Sequence, residues 1–234
     1  MKKIIASLLF ICFISFTSAQ NCEAISPMKA GMKLEQTHYN KKGKVEFIQN
    51  HTITSTENED GFFIMNLESS KVFTKKSKNT DAVISYALKC KNGNFFIDMN
   101  SYIPQQQQGE NKNGGLKIEA SGDFLLFPSE LTEGQSLENG EVTLKIGTSE
   151  VSILSSTTKI FNRKVLEGTK LTTKAGSFDG YKMSFDYEFK LGFIKMKGSG
   201  IEWYVKGIGI IKSESYNKKG KLLSWWELTK ISGQ

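Results

Sequence analysis

The chain has 234 residues, 31 lysine and arginine against 24 aspartate and glutamate, and a formal net charge of +7. The lysines stand in short groups, Lys41-Lys42, Lys75-Lys76 and Lys218-Lys219, where turns are expected. They read as solvated loops and not as a nucleic-acid surface, leaving at most a weak attraction to an anionic membrane or glycan. With 21 glycines scattered at turn positions and only 3 prolines, no linker interrupts the chain, which favours one continuous domain over two small ones.

The N-terminus carries an address. Met1 is followed by Lys2 and Lys3, an uncharged apolar run from Ile4 to Phe16, and Thr17-Ser18-Ala19 with small residues at the −3 and −1 sites of a signal-peptidase cut. Residues 1–19 are therefore expected to be a cleaved signal peptide and 20–234 a single exported domain, periplasmic or extracellular. The run of about 13 residues is too short for the roughly 20 that span a bilayer. Cys22 raises lipidation, but Ala19-Gln20-Asn21 before it fit a lipidation box poorly, so a soluble product is favoured over a lipid-anchored one. Cleavage removes Cys12 and leaves Cys22 and Cys90. In an oxidising compartment these two invite one disulfide, which typically adds roughly 2–4 kcal/mol. Outside the cytoplasm no cofactor is expected, and no C-x-x-C supports a redox role.

Period-two alternation dominates the mature chain. It is clearest in Met183-Ser184-Phe185-Asp186-Tyr187-Glu188-Phe189-Lys190-Leu191, where apolar and polar residues alternate as on a strand with one buried face. In chain order the other expected strands are Leu34 to Tyr39, Val45 to Thr54, Phe62 to Leu67, Val83 to Cys90, Phe95 to Met99, Leu116 to Ala120, Val142 to Ile146, Val151 to Leu166, Ile201 to Ser215 and Leu222 to Ile231. The fold class is all-β. Asp60-Gly61, Asn92-Gly93, Asn139-Gly140 and Asp179-Gly180 read as tight hairpin turns, so the sheet is expected to be mostly antiparallel. Ser101 to Gly115, with Gln105 to Gln108, reads as a loop, a lid or a short helix. The hexapeptide Tyr39-Asn40-Lys41-Lys42-Gly43-Lys44 recurs as Tyr216 to Lys221. It reads as a hairpin tip whose lysines oppose edge aggregation.

Residues that could carry chemistry are few. His38 and His51 flank the first hairpin and could face one another across it, but neither stands in a zinc motif. No G-x-S-x-G elbow appears, so neither catalytic residues nor a metal site is assigned, and the protein is expected not to be an enzyme. Gly207-Ile208-Gly209 lacks a third glycine and a following helix, so it reads as a place where a strand bends. Asn50-His51-Thr52 fits a glycosylation triplet only if the secretory route is eukaryotic. The aromatic inventory is richer. Trp203, Trp225, Trp226, Phe185, Tyr187 and Phe189 are the candidate ligand-binding residues, set against a plain core filling the concave side of a curved sheet. Ile201, Trp203 and Val205 alternate with Glu202, Tyr204 and Lys206, which places Trp203 on the apolar side and Glu202 away from it.

In order along the chain stand Cys22 with Pro27-Met28-Lys29-Ala30-Gly31, Tyr39 to Lys44, Cys90-Lys91-Asn92-Gly93, Phe127-Pro128, Gly134-Gln135, Gly176-Ser177-Phe178, and Glu202-Trp203-Tyr204 through Gly207-Ile208-Gly209 to Lys212-Ser213-Glu214. Together they resemble the secreted bacterial TapB-like proteins, a domain-of-unknown-function family. The resemblance covers most of the mature chain. It implies an extracytoplasmic all-β domain, an open or half β-barrel similar to the periplasmic lipoprotein carriers, with a short helix or loop covering it. No activity is implied. The expected role is a non-catalytic envelope protein that binds an apolar small molecule, a lipid or an envelope partner, against the alternative of a structural or adhesive module with a self-filled core.

Overall fold

The computed structural model describes residues 22, 26–75, 83–99, 117–147 and 152–233. The expected signal peptide and the polar stretch Ser101 to Gly115 lie outside them. Thirteen strands follow in order: β1 (Lys33–Asn40), β2 (Val45–Glu59), β3 (Phe62–Phe73), β4 (Val83–Lys91), β5 (Asn94–Asp98), β6 (Lys117–Gly122), β7 (Phe124–Phe127), β8 (Gly140–Gly147), β9 (Ser152–Thr173), β10 (Gly176–Leu191), β11 (Ile194–Val205), β12 (Gly209–Asn217) and β13 (Leu222–Ser232). They form one sheet in the order β6-β8-β9-β10-β11-β12-β13-β1-β2-β3-β4-β5-β7, antiparallel at every junction. The fold is all-β, as the alternation indicates, and the sheet curls into a nearly closed barrel.

The curl is legible in the topology. β6 and β7 are the two edges of the sheet, yet only Asp123 separates them in sequence, so the edges must meet. Asp123 stitches the seam. Its N–H donates to the Glu141 carbonyl at 2.9 Å, its carbonyl accepts from the Met99 N–H at 3.2 Å, and its Oδ2 accepts from the Glu141 N–H at 3.3 Å. A second tie comes from Arg163, which is buried. Its Nη1 donates to the carbonyls of Leu126 (3.1 Å) and Glu138 (2.8 Å), and its guanidinium lies 4.5 Å from the centre of the Phe127 ring. Phe127 in turn stacks on Tyr204 of β11 at 4.5 Å. A bulge brings Arg163 to this position: Asn162 takes a positive φ of 52° and the β9–β10 register shifts there, which re-aims the following side chain.

Inside the barrel, Met65, Leu67, Met99, Leu125, Phe127, Val165, Ile211 and Leu228 are fully buried. The Cys22–Cys90 disulfide is formed, with α-carbons 5.8 Å apart, and pins the chain before β1 onto the C-terminal end of β4.

Two of the four expected hairpin turns are real. Asp60-Gly61 and Asn92-Gly93 have paired positive φ values, the conformation a two-residue hairpin needs. Asn139-Gly140 and Asp179-Gly180 are not turns. Gly180 lies inside β10, where a β-carbon would strike the Tyr204 carbonyl, and a β-carbon on Gly140 would come 2.6 Å from Leu125; these glycines admit close packing. The single strand expected from Ile201 to Ser215 is two, β11 and β12, reversed through a turn at Lys206–Ile208. There Gly207 and Gly209 have φ of 84° and 100°, so the Gly-Ile-Gly run makes a reversal and not a bend within one strand. The twin hexapeptides do form matching hairpins. Asn40 Oδ1 accepts from the N–H groups of Lys42 and Lys44, and Asn217 Oδ1 does the same with Lys219 and Lys221.

Arg163→Met keeps the bulk of the side chain while removing both donors at the seam. Its urea unfolding midpoint should fall by the equivalent of roughly 2–4 kcal/mol, the cost of losing charge-assisted bonds to partly buried carbonyls. The disulfide closes a loop with a sequence separation of 68, so the Cys22→Ala/Cys90→Ala protein should lose roughly 2–4 kcal/mol in the same assay.

Candidate functional site

Residues directly opposite one another in an antiparallel ladder share a face of the sheet. On the inner face, Glu202, Ser213, Trp226, His38 and Phe47 therefore form one row from β11 to β2. The next row toward the core holds Gln36, Gln49 and Lys71. Below it come Leu34, His51, Ser69 and Ile84. The inner wall thus grades from polar near the twin hairpins to apolar in the middle of the barrel.

A cavity of about 140 Å³ opens within these rows, lined among others by Gln36, His38, Gln49, His51, Tyr86, Glu202 and Trp226, with Leu34, Leu67, Leu88 and Ile97 as its apolar floor. That is close to the volume of the roughly 150 Å³ engineered cavity that admits benzene, and below the 300 Å³ or so at which pockets for drug-sized molecules begin.

Its polar groups are strongly organised. The Tyr86 hydroxyl lies 2.8 Å from His51 Nδ1, and burial pushes the Tyr86 phenol well above its ordinary range, keeping it a donor. With the hydroxyl assigned as the donor to Nδ1, the imidazole hydrogen of His51 stands on Nε2. Burial, then the Lys71 charge, holds His51 down to about 4. The same causes in the same order hold His38 lower still. Lys71 is itself lowered to about 8 by burial, and its ammonium sits 4.5 Å over the Phe47 ring, on which His38 stacks at 4.1 Å. Gln49 Nε2 donates to Ser69 Oγ at 2.8 Å. The Nε2 atoms of His38 and His51 are buried and make no hydrogen bond. Both imidazoles are thus neutral and each keeps one hydrogen-bonding position unused.

The two histidines are not cross-strand partners. His38 pairs with Phe47 and His51 with Leu34, because the register of the first hairpin offsets them by four positions. Among the described residues no group of three or more histidine, cysteine or acidic side chains could hold a metal ion.

Of the six aromatic candidates, Trp226 lines the cavity. Phe185 is buried in the core. Tyr187 is half-buried, its hydroxyl donating to the Tyr216 carbonyl at 3.1 Å, and Phe189 is half-buried further along β10. Trp203 and Trp225 stand on the other face of the sheet with Lys212, whose ammonium lies 4.4 Å and 5.8 Å from their ring centres; Tyr39 stacks on Trp225 at 3.9 Å. The orientation expected for β11 is reversed: Glu202 and Tyr204 are buried and Trp203 is only half-buried. Hydropathy misreads this strand because the inner face here is the polar wall of the cavity, while the indole outside is covered by lysine. Gln36, Gln49 and Tyr86 were not singled out by sequence, and Glu202 was placed on the outer face; Gln36 and Gln49 sit on strands polar at both alternations, so hydropathy does not say which face turns inward, while Tyr86 and Glu202 each stand as a polar group in an otherwise apolar stretch.

Each histidine titrates near 6.5 when unfolded and lower in the fold. Between pH 6.5 and 4 the unfolded chain binds more protons, so the stabilisation is full above 6.5 and is lost as the pH falls. Urea melts across that window should show His51→Gln flattening the slope by about 1.4 kcal/mol per pH unit relative to the parent.

Comparison with known proteins matches this architecture. An exported protein with a YmcC-like fold from Bacteroides fragilis NCTC 9343 superposes with a TM-score of 0.73 at 20% identity, over 89% of this chain and 99% of its own. A lipoprotein from Parabacteroides distasonis ATCC 8503 gives a TM-score of 0.74 at 17% identity, over 88% of this chain and 97% of its own. At such identities the likeness establishes the fold alone. No curated protein matches the chain. The family model described as DUF3108-like matches residues 29–228, spanning the strands from the first to the last, and the chain belongs to the DUF3108-like family.

Proposed function

We infer that this protein is a non-catalytic envelope protein that holds a small ligand, apolar in body and bearing a hydrogen-bond acceptor, in the polar end of its barrel. One observation carries the reading: a cavity of about 140 Å³ into whose wall are built two neutral, buried imidazoles with unused Nε2 positions. A buried donor without a partner costs on the order of 1–3 kcal/mol, and an acceptor placed against the His51 Nε2–H offsets that cost. Leu34, Leu67, Leu88 and Ile97 supply the apolar contact and Trp226 an aromatic wall. Compared with the lipid cargo suggested by the likeness to lipoprotein carriers, this volume favours a ligand of benzene to indole size over one with a long acyl chain.

Export is supported from three directions. Residues 1–19 have the pattern of a signal peptide, the Cys22–Cys90 disulfide suits an oxidising compartment, and the two similar structures are described as an exported protein and a lipoprotein. The TapB-like resemblance points to the same compartment.

Native mass spectrometry of protein purified without denaturant tests the reading. The expected result is a small bound species in the parent, lost from Leu88→Trp, which fills the floor of the cavity, and retained at least tenfold less by His51→Leu. A phospholipid or fatty acid held one per chain would overturn it in favour of a lipid carrier.

A further inference from the structure

We propose that the end of the barrel formed by the β1–β2, β10–β11 and β12–β13 hairpins is a docking surface for an anionic lipid bilayer. The argument is independent of the cavity and begins with where exposed apolar side chains fall. Among the described residues the strongly exposed large hydrophobics are Val45, Val72, Val83, Phe193, Ile194, Met196 and Leu223. Val45, Phe193, Ile194, Met196 and Leu223 lie in or next to the tips of these hairpins, Val72 is near the end of β3 beside the first of them, and Val83 starts β4, the next strand along. An apolar set gathered at one end, with none elsewhere among the described residues, marks an interaction surface.

The ladder brings the tips together. Asn40 at the end of β1 pairs with Ser224 near the start of β13, Ser224 pairs with Ser215, and Ser215 pairs with Gly200 of β11. The β10–β11 hairpin stays paired with β9 as far as Leu191 but runs past its neighbour on the other side, β12. Gly198 is the first β11 residue to pair with β12, opposite Asn217, so Ile194 to Lys197 extend beyond the β12–β13 turn by about 13 Å at roughly 3.3 Å per residue. This projection is amphipathic. Leu191 pairs with Ile194 and Phe189 with Met196 on one face, while Glu188 on the other face bonds Lys195 and Lys197 at 2.8 and 3.0 Å. Phe193 at the apex is completely exposed.

Charge selects the occupant. Side by side next to β11, the twin hexapeptide tips present Lys218, Lys219 and Lys221 on the nearer hairpin and Lys41, Lys42 and Lys44 on the next, all exposed. Of the described acidic groups near these tips, Glu188 is committed to its two lysines, Glu214 to Lys212 and Glu141 to Lys159, and Glu46 stands at the base of the first hairpin. The β2–β3 hairpin at the opposite end carries instead Glu57, Glu59 and Asp60. Apolar side chains at the apex with lysines set back around them are the arrangement that inserts shallowly among acyl chains while ammonium groups meet anionic headgroups. Duplex nucleic acid would use the lysines and leave Phe193, Ile194 and Met196 in water.

The test is co-sedimentation of the purified protein with vesicles of phosphatidylcholine alone or with phosphatidylglycerol added, using Phe193→Trp as a reporter of insertion. Binding is expected only to vesicles containing phosphatidylglycerol, with a blue shift of the new indole and weakening as salt rises. A lysine near an anionic surface is worth roughly fivefold, so Lys218→Glu/Lys219→Glu should weaken binding at least tenfold. Phe193→Ser/Met196→Ser should abolish the inserted state, and Lys89→Glu/Lys91→Glu at the opposite end should leave binding unchanged, all with thermal midpoints like that of the parent. Equal binding to both kinds of vesicle, no blue shift, an equal loss in the opposite-end variant, or equally tight binding to a DNA duplex would each overturn the proposal.

Discussion

A sheet of thirteen strands has two edges, and each edge strand presents N–H and C=O groups that must be paired, covered or left to water. Here the remainder of the structure depends on how those edges meet. The chain places β6 and β7 at opposite ends of the sheet and then joins them through Asp123. That junction forces the curl. Arg163 holds it, because one guanidinium bonds the Leu126 carbonyl of β7 and the Glu138 carbonyl just before β8, the strand that pairs with β6, and packs on Phe127, which packs on Tyr204 across the barrel. A guanidinium suits the position since its planar fork donates in several directions and its face stacks on an aromatic ring.

Closure fixes the two halves of the interior. Toward the seam the side chains are large and apolar and leave little space. Toward the twin hairpins the inner face carries Glu202, His38, Gln36, Gln49 and Lys71, which cannot interdigitate as leucines do and leave the cavity. Burial then neutralises what it encloses: the histidines are held unprotonated and Lys71 is lowered, since a charge there would forgo hydration without a full set of partners. The small polar cavity is a consequence of rolling a partly polar sheet face inward.

Glycine serves close approach as well as reversal in this barrel. On β11, a β-carbon on Gly200 would meet the Phe185 ring and one on Gly198 would meet Tyr187 and the Tyr216 carbonyl. Their absence lets the aromatic side chains of β10 lie across the neighbouring strand. The same strand pair, still paired with β9 up to Leu191 but without a partner on its β12 side beyond Gly198, carries Phe193 at its exposed apex. Dense packing and exposed projection are thus two ends of one amphipathic ribbon.

The sequence by itself determined that the protein is all-β and antiparallel, where most strands lie, that Asp60-Gly61 and Asn92-Gly93 reverse the chain, that the two hexapeptides make equivalent hairpins, and that Cys22 pairs with Cys90. Each of these rests on local chemistry: side-chain alternation, φ preferences at tight turns, and the small number of thiols. Tertiary structure decided the rest. Gly140 and Gly180 carry the same dipeptide signal as true turns but serve packing, because the signal reports only what glycine permits. The face of Trp203 was reversed because cation–π cover by Lys212 and the polar inner wall at Glu202 are properties of neighbouring strands. The seam at Arg163 depends on a bulge and on strands far apart in the chain, and the cavity on residues contributed by β1 to β5 and β11 to β13. Period-two patterning says which side chains share a face; only closure of the sheet says which face is inside.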